Sequence, residues 1–202
     1  MVMFKEEREI EHDWEFRYKL KPGDIFVEGG SFIGRYGKRA SRIVGPSGKV
    51  ILIEPSPRNL RTLCKDKKIG KLGQNVTIID KAIGDHKGYG EFLLDGNSAG
   101  DRFPYLIGDK EYPTKGMIKI DTLDNILTEL GIESVDLLGA DIENSEVPLI
   151  RGASKYLREY RIKNVAIAAY HHRANPEFIM ILLKYWGYKN VEYVDGVVYA
   201  NV

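Results

Sequence analysis

Residues 23–34 read GDIFVEGGSFIG and residues 49–54 read KVILIE. Each holds a short apolar run, rich in β-branched side chains, that ends in an acid. Between them Ile33, Tyr36, Ala40, Ile43 and Val44 fall on one helical face, and Gly45-Pro46 then stops the helix. Two buried strands joined by a crossover helix make a βαβ unit, so the strands are parallel. The same kind of run recurs at residues 76–79, 135–138 and 165–169, separated by segments of helical period. Ser56-Pro57 and Asn175-Pro176 each set a capping side chain before a proline at the first helical position, where the missing N–H costs nothing. Leu123, Ile126, Leu127 and Leu130 form another helical face with Asp121 as its expected N-cap. Ser145 is expected to cap a helix that reaches about Leu157, with Pro148 in its first turn.

The chain ends differently. Residues 188–194 and 197–202 flank Asp195-Gly196, the signature of a two-residue hairpin turn, so the last two strands are antiparallel. The expected fold is α/β and doubly wound: a mostly parallel, Rossmann-like seven-stranded sheet closed by a C-terminal antiparallel hairpin. A plain dinucleotide fold normally ends in a parallel strand. Residues 84–120 are less regular, with a strand expected near residues 91–94 before a loop rich in Gly and Asp. One domain over residues 21–202, preceded by an N-terminal helical extension over residues 1–20, accounts for the length of 202.

Bulk composition removes several classes of partner. The formal charge is +1, from 30 basic and 29 acidic side chains, so no global field draws the chain to nucleic acid or to an anionic membrane. No stretch approaches the roughly 18 to 20 apolar residues of a membrane span. The charged N-terminus lacks the apolar core of a secretory signal. A cytoplasmic location is expected, and the single cysteine, Cys64, fits one; it reads as a helix-packing thiol. Arg35, Lys38, Arg39 and Arg42, with Lys65, Lys67, Lys68 and Lys71, are the basic stretches that would serve an RNA substrate, and solvated helix faces explain them more simply. Oligomeric state leaves no trace in the sequence.

The chemistry gathers at strand ends. Glu28-Gly29-Gly30-Ser31-Phe32-Ile33-Gly34 has the form acid, any residue, Gly, three residues, Gly. Glycine at this turn lets backbone approach a ligand closely, and the acid can accept hydrogen bonds from an ammonium group. That suits the aminoacyl end of S-adenosyl-L-methionine. An NAD fingerprint needs a different glycine spacing, and an acid here would repel a pyrophosphate. Glu54 ends the second strand 24 residues beyond Gly30, near the interval at which an acid grips ribose hydroxyls. Ala82 and Ile83, after the third strand, offer an apolar face for adenine. Ser31 and Pro55, neighbours of these motif residues, complete the expected cofactor-binding set.

The fourth strand delivers Asp141 and Glu143, and the fifth delivers Tyr170-His171-His172-Arg173, to the same carboxyl edge of the sheet. Asp141, Glu143 and His171 are the candidate catalytic residues, with proton removal given to Asp141 or His171. Glu146 has the simpler reading of an acid at a helix N-terminus. A divalent ion held by Asp141, Glu143 and His171 is a further arrangement these side chains allow, but no recognisable ligand spacing singles out a metal site and none is assigned.

Five blocks in order, GDIFVEGGSFIG, VGPSGKVILIEPSPRNL, NVTIIDKAIGD, IDTLDNIL and VDLLGADIENSE, resemble the FkbM-type family of class I methyltransferases over roughly residues 22–160. The resemblance implies that Glu28, Gly30, Gly34 and Glu54 bind S-adenosyl-L-methionine and that Asp141 and Glu143 belong to the catalytic rim. It implies methyl transfer, expected here to a hydroxyl of a small molecule or sugar. A catalytically degenerate module that binds the cofactor or another nucleoside is the alternative from a different class, and RNA methylation is another. Gly139 and Asn144 stand where the family tends to have lysine and glycine, and Phe32 where it often has asparagine.

Overall fold

The computed structural model describes residues 14–93, 115–171 and 175–202. Its main sheet has seven strands in the order β3-β2-β1-β7-β8-β10-β9. These are β1 (Ile25–Gly29), β2 (Lys49–Ile53), β3 (Val76–Ile79), β7 (Leu137–Ala140), β8 (Asn164–Ala168), β9 (Lys189–Val194) and β10 (Val197–Asn201). The first five are parallel; β10 runs antiparallel to both β8 and β9. Asp195 and Gly196 both have positive φ, 48° and 85°, as the tight turn between β9 and β10 requires.

Alternation along the strands separates two cores. Val27, Ile51, Ile53, Leu138, Ala140, Val165, Ile167 and Val198 face one layer. That layer is made by α3 (Leu123–Glu129), α4 (Glu146–Gly152), α5 (Ser154–Arg158) and α6 (Pro176–Tyr185). Phe26, Val50, Leu52, Leu137, Ala166, Ala168 and Val197 face the other, with Ala40 and Val44 of α1 (Arg35–Val44) and Leu63 of α2 (Pro57–Lys68). Burial on both faces is why these strands read as continuous apolar runs. Among the described residues, no helix is long and apolar enough to cross a membrane.

A second sheet was not foreseen. β4 (Ala82–Gly84), β5 (Gly88–Leu93) and β6 (Lys115–Thr122) form a three-stranded sheet in the order β4-β6-β5, around Ala82, Phe92, Ile118 and Ile120. β5 covers most of the strand expected near residues 91–94, whereas the loop expected after it lies largely outside the described residues.

Several local expectations need correction. Residues 14–20, the described part of the expected helical extension, are a turn, a bend and chain without regular secondary structure; residues 1–13 lie outside the description. Cys64 is exposed on α2, outside its buried face, where a helix-packing thiol was expected. Thr122, not Asp121, caps α3 by accepting from the Asn125 amide at 3.1 Å. Asp121 instead takes the Thr122 amide and pairs with Lys81 at 2.8 Å. Ser145 sits at the N-cap of α4 but makes no capping hydrogen bond through its side chain.

Residues 14 and 15 are pinned to the sheet and α1. Glu15 accepts from the Leu20 amide and the Tyr36 hydroxyl, both at 2.8 Å, and pairs with Arg39. Trp14 is buried against the central strands.

Candidate active site

The site is built where the strand order reverses. β1 sends its crossover helix towards β2, while its other neighbour is β7, so the crevice beyond their carboxyl ends is the natural ligand position of an open α/β sheet. Gly30 turns the chain there with φ 72°, and a Cβ on it would stand 1.8 Å from the Asp141 carbonyl oxygen. Only glycine allows that approach. The Gly30 amide donates to the Ile53 carbonyl at 2.9 Å, and the Asp141 amide donates to the Gly29 carbonyl at 3.0 Å. The ends of β2, β1 and β7 are thereby laced around one loop.

Glu54 fixes the far side of this loop. Its Oε2 accepts from the Phe32 amide at 2.8 Å, and its Oε1 accepts from the Ser56 amide at 2.8 Å and from Asn59 Nδ2 at 3.2 Å. The Ser56 side chain, expected to cap α2, makes no capping bond, while the Glu54 carboxylate takes the amide of Ser56 and the side chain of Asn59. Phe32 has φ 50°, a conformation asparagine adopts more readily, which matches the family preference for asparagine at this place.

Glu28 lies on the α1 side of β1. Trp14 Nε1 donates to its Oε1 at 3.3 Å, while Oε2 is buried without a hydrogen-bond partner among the described residues. Burial pushes the Glu28 carboxyl up to about 8 against the pull of the Trp14 hydrogen bond, and the charges of Glu54 and Asp141 add to the rise. The buried Ser31 hydroxyl also has no hydrogen-bond partner among the described residues. Buried polar atoms left unmet beside a glycine turn fit a ligand that brings ammonium and hydroxyl donors. Pro55 follows Glu54 on the same rim. Ile83 packs beneath Gly29, whereas Ala82 turns into the cluster of the small sheet. Gly34 is held by close packing, its would-be Cβ 2.6 Å from Leu63.

Beyond β7 the chain turns through Glu143 and Asn144, both left-handed, with φ 50° and 76°. Asn144 thus takes the conformation that suits the glycine of the family motif. The turn brings five side chains together. Tyr170 donates its hydroxyl to Asp141 Oδ2 at 3.0 Å. His171 Nε2 lies 3.3 Å from Asp141 Oδ1 and 3.6 Å from Glu143 Oε1, and His171 Nδ1 meets Glu146 Oε1 at 2.9 Å. Glu146 is fully buried, so its role goes beyond the helix N-terminus expected of it. Burial opposes a charge on His171, but interactions with Glu143 and Glu146 and the charge of Asp141 outweigh it and lift the imidazole to about 10. At neutral pH an imidazole so placed carries both ring protons until something displaces one of them. Tyr170, Glu146 and Trp14 were missed as site residues. Tyr170 had a signal in its place beside His171 at a strand exit, whereas Trp14 had none. His172 and Arg173 lie outside the described residues.

A reversing seven-stranded sheet with an antiparallel closing hairpin, a glycine turn at the reversal and an acid ending the second strand defines a class I methyltransferase fold. The family is shown by sequence: the Methyltransferase FkbM domain model matches residues 30–189, and the chain belongs to that family. Among solved structures, the fold is similar to methyltransferase FkbM from Methylobacillus flagellatus KT, at 18% identity and a TM-score of 0.66, over 91% of this chain and 45% of that one. The chain thus spans less than half the length of that relative. It is also similar to precorrin-6y C5,15-methyltransferase from Geobacter metallireducens GS-15, at 13% identity and a TM-score of 0.52, over 90% of this chain and 80% of that one. A putative rRNA-methylase from Clostridium thermocellum matches at 11% identity and a TM-score of 0.51, over 90% of this chain and 86% of that one. No curated protein matches the sequence. The cofactor expected from the sequence, S-adenosyl-L-methionine, is in accord with a methyltransferase family.

Proposed function

We propose that the protein is an S-adenosyl-L-methionine-dependent O-methyltransferase acting on a hydroxyl of a small-molecule or sugar acceptor. The observation that carries this reading is the contact of the Asp141 backbone with the Gly30 turn, which puts the residue that bears the candidate base at the loop where the donor belongs. Glu28 and Ser31 would receive the aminoacyl end, Gly30 and Gly34 would let backbone close on it, and Glu54 would take the ribose, with Pro55 beside it. Ile83, beneath the loop, supplies the apolar side expected to meet adenine, and Ala82, turned into the small sheet, does not share that role. When bound, the cofactor supplies a methyl group already activated on a sulfonium.

What is left for the chain is alignment and removal of one proton. Asp141 accepts the hydroxyl proton, oriented by Tyr170 on one oxygen and faced by His171 on the other. Glu143, on the left-handed turn beside it, flanks the acceptor.

Two measurements test the reading. S-adenosylhomocysteine is expected to bind in calorimetry and to raise the melting temperature at concentrations well above its Kd, while NAD does neither. Transfer of labelled methyl to a panel of hydroxyl compounds is the second. A melting shift with NAD alone would replace this assignment with a dinucleotide one.

A further inference from the structure

Asp141, Glu146 and His171 each offer an oxygen or nitrogen within 4.8 Å of the others. Their arrangement is more specific than proximity. Asp141 Oδ1 and His171 Nε2 face each other at 3.3 Å, and each is held from behind: Tyr170 donates to Asp141 Oδ2, and Glu146 meets His171 Nδ1. The His171 side chain is 8% exposed, yet its Nε2, aimed at Asp141 and Glu143, has no hydrogen-bond partner among the described residues. A carboxylate on the far ring nitrogen is the usual partner of a metal-binding histidine, because it fixes the tautomer that leaves the near nitrogen's lone pair for the ion.

We infer that this cluster is a divalent-cation site in which the ion takes the place of the His171 Nε2 proton, with His171 Nε2 and Asp141 Oδ1 as ligands, Glu143 flanking them and Glu146 as the buried group that orients the imidazole. Three carboxylates around one imidazole leave a negative surplus that a divalent charge neutralises. One nitrogen among oxygens favours a first-row ion such as Mn²⁺, Co²⁺ or Zn²⁺ over Mg²⁺ or Ca²⁺. Its use rests on the methyltransferase reading: beside the Gly30 turn, the ion holds the acceptor oxygen and eases loss of its proton. The hydroxyl proton passes to water, an O–C bond forms as the S–C bond of the donor breaks, and the sulfonium becomes a thioether. Asp141 then acts as a ligand, and proton removal passes from it to the solvent.

The test is titration of the chelator-treated full chain with Mn²⁺ and with Co²⁺, followed by calorimetry and by the visible absorption of Co²⁺, with S-adenosylhomocysteine titrated in parallel. One equivalent of metal is expected to bind, to be lost in Asp141→Asn and His171→Gln, and to bind at least about 10-fold more weakly in Glu146→Gln. Circular dichroism establishes that each variant is folded; Asp141→Asn, at a partly exposed side chain, keeps the test decisive where Glu146→Gln fails to fold. Absence of one-to-one metal binding overturns the inference, as does binding that persists unchanged in both Asp141→Asn and His171→Gln. The parallel titration separates this from the cofactor reading, since binding of S-adenosylhomocysteine without metal leaves that reading standing and its absence removes it.

Discussion

The indole of Trp14 lies against the backbone of Gly139: a Cβ at residue 139 would stand 2.9 to 3.1 Å from three atoms of the ring. The glycine that replaces the lysine of the family motif is therefore the floor of a slot for an N-terminal side chain. The same indole donates to Glu28.

Gly139→Ala is expected to destabilise the fold by about 1 to 3 kcal/mol, the usual cost of adding a methyl to a filled core. Urea unfolding measures it. In a Trp14→Ala background, where the ring is gone, the same substitution should cost much less. A neutral Gly139→Ala would mean that the indole moves aside freely.

Glu28 should leave a signature in the pH dependence of stability without ligand. Its carboxyl, near 8 in the folded chain, lies above its ordinary value of 4.5. Below about 4.5 it is protonated in both states and has no effect. From there to about 8 the unfolded chain gives up the proton while the folded chain keeps it, so stability falls by up to about 1.4 kcal/mol per pH unit. Glu28→Gln removes this term, and its stability relative to wild type should rise steadily across that range. A difference that stays flat from pH 5 to 8 would show that the buried carboxyl is ionised throughout.

Glu54→Ala orphans the Phe32 and Ser56 amides as well as any ribose contact. It is expected to lower stability by about 2 kcal/mol and to weaken S-adenosylhomocysteine binding by about 1 to 3 kcal/mol, read by denaturation and calorimetry on the same sample. Loss of stability with unchanged affinity would confine Glu54 to holding the Phe32 and Ser56 amides.

Asp141→Asn keeps the shape of the side chain and removes its charge. Turnover should drop at least about 100-fold while affinity for S-adenosylhomocysteine stays within a few fold, once an acceptor is in hand. A large drop in affinity with normal turnover at saturating cofactor would place Asp141 among the cofactor ligands.

The sheet, its reversal point and the closing hairpin were legible because burial on two faces writes itself as apolar runs, and because Asp195-Gly196 and Gly45-Pro46 punctuate them. The tight turn after β1 was legible because Gly30 stands at a strand-to-helix junction, and beneath the Asp141 carbonyl no other residue fits. What escaped notice depends on contacts between residues far apart in the chain. Nothing near Trp14 announces that it will fill the space left by Gly139, and Glu146 looks like any acid opening a helix until β8 places His171 beside it. Caps were misassigned for a related reason. Asp121 has the right type one residue too early, and Thr122 reaches the Asn125 amide; Ser56 stands at the N-cap of α2, but its side chain makes no capping bond and Glu54 takes its amide.

The strand order has a kinetic side. β3, β2 and β1 come from the first 80 residues and β7 to β9 from the last 70 or so, and the two sets touch along one pair, β1 with β7, whose partners Phe26 and Leu137 are more than a hundred residues apart. Closing so long a loop is costly before its contacts form, so this seam should zip late in folding and open early in unfolding. The Gly30 turn and Asp141 lie at its mouth. A ligand gripping both would act as a clasp on the last step to form, slowing unfolding in proportion to its affinity and leaving the folding rate nearly untouched.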